Sequence, residues 1–180
     1  MMDEEVHHMA GTITIINAGI TQLDTDAVVN AANKGLYAGG GVCGAIFRDA
    51  GHNELEAACR VIGHCDTGSA VITPGFRLKA KYIIHAVGPI WYGGMHDEEQ
   101  LLYCAYQKSL DLALQNQCHS IGFPLISAGI YGCPKDIAWK NALHACNDFL
   151  SEHPDYDMQI VFAVPDPAVR RMGEEQLNLL

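Results

Sequence analysis

Positive charge and long apolar runs are both scarce in this chain of 180 residues. Its 11 lysines and arginines face 21 aspartates and glutamates, which leaves a net charge of −10. A nucleic-acid-binding surface needs clustered lysine and arginine, so we expect no nucleic-acid partner. No apolar run approaches the roughly 20 residues that cross a membrane, and the acidic segment Met1–Glu5 lacks a signal-peptide core. We therefore expect no membrane partner either.

The motifs of several ligand and metal sites are missing as well. No Gly-x-x-x-x-Gly-Lys occurs, which excludes a P-loop NTPase. The seven cysteines are scattered without a Cys-x-x-Cys pair, which favours reduced thiols in a cytoplasmic protein. His64, Cys65 and Cys59 lack the paired spacing of a structural zinc site. We therefore predict no metal and no cofactor.

Apolar segments separated by turn residues predict an α/β protein. The segments with strand character are 12–16, 27–30, 69–73, 81–87, 119–126 and 159–164. The segments with helical periodicity are 42–62 (interrupted at Gly51), 97–117, 134–150 and 167–179. Such alternation favours a layered domain with helices on both faces of a sheet. We expect a single domain over residues 11–180, after a flexible N-terminal extension over residues 1–10.

A glycine-rich loop follows the predicted strand 27–30. Asn30 and Asn33 are followed by three consecutive glycines at 39–41 and by a helical segment that begins near Val42. Glycines allow bare N–H groups to approach a ligand, and a helix N-terminus attracts anions. An asparagine offers a donor and an acceptor to a sugar hydroxyl. The loop is therefore typical of a site for a phosphorylated ribose.

A second loop of the same kind follows the buried segment 119–126. It begins with Ser127, carries Gly129 and Gly132, and ends at Pro134, a residue type that is favoured at helix starts. In open α/β sheets, ligands bind outside the carboxyl ends of the strands. Two such loops could clamp a diphosphate between them.

Five segments of the chain, in this order, resemble the macrodomain, a fold that binds ADP-ribose. They are Ile20-Thr21 with 26–33, then 39–42, 65–68, 82–91 and 127–132. The resemblance runs from Thr12 to Asp166 and implies a three-layer α/β/α fold around a mixed, mostly parallel sheet. The subgroup that the chain resembles removes ADP-ribose from acidic side chains or deacetylates O-acetyl-ADP-ribose.

The resemblance also implies roles for individual residues. Asn33 would contact the distal ribose, whose C1″ bond is cut. The backbone of Gly40, Gly41 and Val42 would donate to the phosphates and to the distal ribose. The residues that would wrap the diphosphate from the opposite side are Ser127, Ala128, Gly129, Ile130 and Tyr131, with the Tyr131 ring packed on the distal ribose. The alternative is that Asn30 and Asn33 only shape the turn, and Asn30 is expected to do so by bonding to nearby backbone.

Cys43 departs from the pattern of the catalytic subgroup, which carries an aspartate there that orients or activates the attacking water. A thiol cannot accept a hydrogen bond as a carboxylate does. Either the chain binds its ligand with little turnover, or a phosphate of the substrate activates the water while the loop supplies geometry. Loss of a general base commonly costs about 10²–10⁴-fold in rate, so we expect slow hydrolysis.

Two further departures lie at the expected adenine end of the site. The resemblance implies that Gly19 and Ile20 contact the ligand there, but Gly19 stands where the family pattern has an aspartate that accepts from the adenine amino group. Pro165 stands where an aromatic side chain often stacks on adenine. Loss of one hydrogen bond to a charged acceptor weakens binding by roughly ten- to a hundredfold. Asp166 or Asn17 could supply the acceptor instead, and another nucleotide is the alternative ligand.

Three hypotheses about function remain open. The first is a monomeric hydrolase that acts on mono-ADP-ribosylated protein or on O-acetyl-ADP-ribose. The second is a non-catalytic reader of ADP-ribose, and the third is a macrodomain for another nucleotide. Phe47 and His85 stand in apolar patterns, so we expect both in the core rather than at a ligand.

Overall fold

The computed structural model describes residues 9–180. Its strands are β1 (Thr12–Ile16), β2 (Ala27–Ala31), β3 (Ala70–Pro74), β4 (Tyr82–Ala86), β5 (Ser120–Phe123) and β6 (Gln159–Ala163). Its α-helices are α1 (Gly41–Ala50), α2 (His52–Ile62), α3 (Glu98–Gln115), α4 (Lys135–Glu152) and α5 (Pro167–Leu177), and a 3₁₀ turn spans Ile20–Gln22. No helix in this part of the chain is both long enough and apolar enough to cross a membrane.

The strands form one mixed sheet in the order β1-β6-β5-β2-β4-β3. The pairs β1–β6, β6–β5, β5–β2 and β2–β4 are parallel, and β3 runs antiparallel to β4. The register sets Ala27 of β2 opposite both Tyr82 of β4 and Ile121 of β5. The predicted class, a three-layer α/β/α fold with a mixed and mostly parallel sheet, is confirmed. Because the parallel strands share one direction, the loops that follow them emerge at the same edge.

Alternate residues of the central strands face two separate cores, as the two-residue period of a strand requires. Val29 of β2 belongs to the core that α3 and α4 cover, whereas its neighbour Val28 belongs to the core under α1 and α2. Phe47 lies in the second core, as expected. Strands that are buried on both faces have nearly continuous apolar sequences, and the central strands of this sheet show that pattern.

Two element boundaries have clear local causes. The predicted strand 119–126 ends early, at Phe123, because Pro124 has no N–H for the ladder. The predicted helical segment 42–62 is divided at Gly51, where φ is 106°. Only glycine adopts such a conformation readily, so α1 ends and α2 begins there with a change of direction.

The predicted N-terminal extension falls largely outside the described residues, because it includes residues 1–8. Its last two residues contact the rest of the chain. Met9 packs against the core on the α3–α4 side, and the Ala10 N–H donates to the Pro154 carbonyl at 2.9 Å. The chain therefore joins β1 through a segment that already touches the connection between α4 and β6.

Candidate functional site

A cavity of about 370 Å³ opens at the carboxyl edge of the sheet, a volume suited to a small-molecule ligand. It lies between the first loop, residues 32–40 between β2 and α1, and the second loop, residues 124–134 between β5 and α4. On the β2 side it is lined by Ala31, Ala32, Asn33, Gly39, Gly40, Gly41, Val42 and Cys43. On the other side it is lined by Gly88, Pro124, Leu125, Ile126, Ser127, Gly129, Ile130 and Tyr131. The two predicted loops therefore face each other across one cavity.

The N-terminus of α1 forms one wall of this cavity. Gly41 begins the helix with φ of 56°, and the first intrahelical bond runs from the Gly44 N–H to the Gly40 carbonyl at 3.2 Å. A Cβ atom at Gly40 or Gly41 would meet nothing within 4 Å, so bare backbone faces the open space. The N–H groups of a first helical turn lack intrahelical acceptors, and with the helix dipole they form a site for an anion.

Asn33 closes the first loop on itself. Its Nδ2 donates to the Tyr37 carbonyl at 2.9 Å, and its Oδ1 accepts from the Tyr37 N–H at 2.9 Å. The side-chain amide still has a second N–H and a second oxygen lone pair, and the residue lines the cavity. Asn33 therefore shapes the turn and can also offer one donor and one acceptor to a ligand.

Cys43 lies in the first turn of α1 and is 7% exposed. Its Sγ donates to the Tyr37 carbonyl at 3.5 Å. Burial raises the pKa of this thiol, although hydrogen bonds with the Gly39 backbone and the Asn30 side chain act in the opposite direction. A raised pKa keeps the thiol protonated at neutral pH, so Cys43 is poorly suited to act as a nucleophile or as a general base.

The second loop is fastened to the segment that follows β4. Ser127 has φ of 66°, and its Oγ donates to the Pro89 carbonyl at 2.7 Å. The Trp91 N–H donates to the Tyr131 carbonyl at 2.8 Å. Gly88 approaches so closely that a Cβ atom there would lie 2.3 Å from the Ser127 Oγ. The shape of this loop therefore depends on its neighbour as well as on its own glycines.

Three of the predicted ligand residues lie away from the cavity lining or beneath it. Gly19 precedes the 3₁₀ turn, and its N–H donates to Gln22 Oε1 at 3.0 Å. Ile20 is buried in the core under α1 and α2, and Ala128 is buried within the second loop. Gly19 and Ile20 nevertheless follow β1 at the same sheet edge as the cavity, and their roles at a ligand remain predictions.

Pro165 also lies outside the cavity lining, directly after β6. The next residue, Asp166, caps α5, because its Oδ1 accepts from the N–H groups of Ala168 and Val169 at 2.9 and 3.1 Å. The carboxylate suggested as an alternative adenine acceptor therefore already has a structural role. Whether Pro165 or Asp166 contacts a base remains a prediction.

Comparison with known proteins agrees with this arrangement. A family model described as Macro domain matches residues 29–142, more than half of the chain. The chain belongs to the Macro domain family. An O-acetyl-ADP-ribose deacetylase of Cronobacter turicensis is 48% identical to it over 162 residues, which are 88% of this chain and 91% of that protein.

Solved macrodomains share the fold over most of the chain. The Oceanobacillus iheyensis macrodomain with ADP matches with a TM-score of 0.86 at 36% identity, over 92% of this chain and 89% of that one. The Trypanosoma brucei macrodomain in complex with ADP-ribose matches with a TM-score of 0.84 at 36% identity, over 92% of this chain and 68% of that one.

Several cavity residues of this macrodomain escape sequence reasoning. They are Ala31, Ala32, Gly88, Pro124, Leu125 and Ile126. Gly88 follows β4 closely, so the rule that ligands lie beyond the carboxyl ends of parallel strands was a usable signal for it. Leu125 and Ile126 are missed because the apolar pattern continues past the end of β5.

The prediction that Asn30 bonds to nearby backbone is wrong. Asn30 lies within β2, and its Nδ2 is 3.0 Å from His85 Nδ1 on the neighbouring strand. His85 Nε2 is 3.0 Å from Thr73 Oγ1, and that hydroxyl donates to the Pro74 carbonyl at 3.1 Å. The Asn30 amide nitrogen can only donate, so Nδ1 of His85 accepts. The Thr73 hydroxyl already donates to Pro74, so it accepts from Nε2–H. His85 is therefore neutral, with its proton on Nε2. The expected core position of His85 is confirmed, because its side chain is fully buried.

The buried His85 makes the stability of this macrodomain depend on pH. Burial lowers the pKa of His85 to about 4, whereas an exposed histidine titrates near about 6.5. Between these values the unfolded chain binds the proton and the folded chain does not, so stability falls as pH falls. We expect His85 alone to lower the free energy of unfolding by about 2 kcal/mol between about pH 7.5 and about pH 5.

Urea unfolding of the wild type and of His85→Gln across this pH range measures the effect. Glutamine keeps one donor and one acceptor but does not titrate, so the variant should be less stable at neutral pH and should lose less stability on acidification. Equal losses in the two proteins would contradict the assignment.

Proposed function

We propose that this macrodomain binds ADP-ribose in the cavity and hydrolyses esters at its C1″ atom. The substrates are O-acetyl-ADP-ribose or ADP-ribose attached to aspartate or glutamate of a protein. One observation carries the proposal: two backbone-lined loops face each other across the cavity, and Asn33 lies at the β2 side of it. The deacetylase name of the Cronobacter relative and the nucleotides bound to solved macrodomains support it.

In this proposal the diphosphate is bound by main-chain N–H groups. The first turn of α1, from Gly41, supplies donors and a helix dipole on one side. Residues 127–131 of the second loop surround the diphosphate on the other side. Local backbone donors explain how an anion can bind a chain of net charge −10, because donors at contact distance outweigh screened distant charges.

The distal ribose then lies against Asn33, and Tyr131 covers it. Water attacks C1″, the bond between C1″ and the ester oxygen breaks, and the acyl group leaves as a carboxylate. The proton of the water passes to a phosphate oxygen of the substrate, because the protonated Cys43 thiol is no base. The protein contributes geometry and electrostatic stabilisation to this substrate-assisted step. We expect turnover to be slow for the same reason.

A second candidate function is that of a non-catalytic ADP-ribose reader. The buried thiol of Cys43 favours it, since the residues that line the cavity include no aspartate or glutamate to orient a water. A third candidate, a site for another nucleotide, is favoured by the position of Gly19 and Pro165 outside the cavity lining. Both candidates keep the cavity as the binding site and change only its ligand or its turnover.

Incubation of micromolar protein with O-acetyl-ADP-ribose, and with a protein mono-ADP-ribosylated on glutamate, tests the proposal. We expect ADP-ribose to be released over minutes to hours. Tight calorimetric binding without release would select the reader. A melting temperature raised by ADP or another nucleotide but not by ADP-ribose would select the third candidate, and no response to any nucleotide would overturn all three.

We further propose that the protein acts as a monomer in the cytoplasm on ADP-ribosylated protein partners. All seven cysteines are free thiols, which suits a reducing compartment.

A further inference from the structure

A buried carboxylate organises the segment between β4 and α3. Glu98, the first residue of α3, is only 2% exposed. Its Oε2 accepts from the N–H groups of Tyr92 and Gly94 at 3.0 and 2.7 Å, and its Oε1 accepts from the His96 N–H at 2.5 Å. Three charge-assisted bonds converge on one side chain, and each is roughly twice as strong as a neutral bond.

The segment that these bonds hold, residues 91–97, contains no helix or strand. Gly93, Gly94 and Asp97 all have positive φ, at 91°, 87° and 60°. The ring of Trp91 packs on Gly94, where a Cβ atom would lie 3.0 Å from it. Burial raises the pKa of Glu98, but the N–H groups that it accepts from outweigh this effect and leave the pKa below its ordinary value. The Glu98 carboxylate is therefore charged, and its hydrogen bonds with three N–H groups order residues 91–97.

This segment in turn holds the second loop of the cavity. The Trp91 N–H donates to the Tyr131 carbonyl at 2.8 Å. The tip of the second loop is otherwise lightly packed, because Ile130 is 91% exposed and a Cβ atom at Gly129 would meet nothing within 4 Å. The position of the Tyr131 backbone thus depends on a bond from a segment that Glu98 orders.

We propose that Glu98 is a positioning residue for the second loop, acting through the Trp91–Tyr131 bond to hold that loop in its ligand-binding shape. The ligand is the ADP-ribose of the proposed function, on which this part of the inference rests. Glu98 does not line the cavity, so any effect of its substitution on ligand affinity is indirect. A purely structural role, such as starting α3, would affect melting but not the second loop.

The adjacent Glu99 provides a matched control. It is on the same helical turn, but its Oε1 pairs with Lys140 Nζ at 2.6 Å and Asn141 Nδ2 at 3.0 Å, on α4. We expect Glu98→Gln to weaken ADP-ribose binding about tenfold, because a buried charge-assisted acceptor is lost. Glu99→Gln should stay within about twofold, since a partly exposed pair contributes little. Calorimetry measures both.

Two further measurements test the role of Glu98 without the ligand. Hydrogen exchange should become faster in Glu98→Gln both at residues 91–97 and at residues 128–133, but unchanged at the latter in Glu99→Gln. Acrylamide should quench more tryptophan fluorescence in Glu98→Gln, because Trp91 is half-buried whereas the other tryptophan, Trp139, is fully buried. If Glu98→Gln does not fold, Glu98→Asp keeps the charge and should change exchange in the same direction by less.

Faster exchange confined to residues 91–97, or wild-type affinity in Glu98→Gln, would overturn the inference. Failure of the proposed function looks different, because then the wild type itself would not bind ADP-ribose. In that case the exchange at residues 128–133 still decides whether Glu98 positions the second loop.

Discussion

Replacing Asn33 by alanine is expected to lower kcat/KM for ester hydrolysis by about 10²-fold or more. The structure gives two reasons. The side chain lines the cavity with a spare donor and acceptor, and it also ties the first loop through its two bonds to the Tyr37 backbone. The variant loses the ligand contact and the geometry of the loop together. Steady-state kinetics and calorimetry with ADP-ribose measure the loss.

The companion variant Asn33→Asp separates the two contributions. Aspartate can still accept from the Tyr37 N–H but cannot donate to the Tyr37 carbonyl, and its charge opposes a bound diphosphate. We expect it to bind ADP-ribose as weakly as Asn33→Ala. Asn116→Ala is the control, because Asn116 bonds the Leu112 carbonyl at the far end of α3. If Asn33→Ala lowers the melting temperature but keeps full affinity and turnover, the side chain only shapes the turn.

Replacing Cys43 by aspartate is expected to raise kcat at least about tenfold, since a positioned general base commonly contributes 10²–10⁴-fold. The third position of α1 suits a carboxylate, because the helix N-terminus favours negative charge. The same side chain borders the cavity, where it can orient a water toward C1″. Initial rates with O-acetyl-ADP-ribose at saturating concentration measure the gain.

Cys43→Asn is the matched control for this gain, because it has the shape of aspartate without its charge. It should keep the wild-type rate and the wild-type affinity for ADP-ribose within a few-fold, because it adds no charge to the cavity. An unchanged rate in Cys43→Asp would mean that the attacking water is not oriented from this position. No turnover in the wild type together with turnover in Cys43→Asp would identify the natural protein as a reader.

Local sequence patterns were enough to find both walls of the cavity. Glycines 39–41 lie after a buried strand and before a helix, and the second loop has the same arrangement. Both signals are local, because they need only the end of a strand, residues that tolerate unusual backbone angles, and a helix start. For the same reason the helices and strands are found close to their observed bounds.

The role of Asn30 could not be found in this way. It depends on His85, which is 55 positions away along the chain and adjacent only because β2 and β4 are neighbours in the sheet. No local sequence pattern indicates that β2 and β4 are neighbours, so an asparagine after an apolar run is interpreted as a turn residue. The fastening of Tyr131 by Trp91 and the convergence of three N–H groups on Glu98 are invisible for the same reason.

The chain's local patterns thus define its elements, its family resemblance and the two loops that line the cavity, because backbone preferences and apolar periodicity act over a few residues. The strand order, the buried pairing of Asn30 with His85 and the convergence of three N–H groups on Glu98 exist only in the folded molecule. They arise from contacts between distant segments, and such contacts are set by how the layers pack rather than by any one stretch of residues.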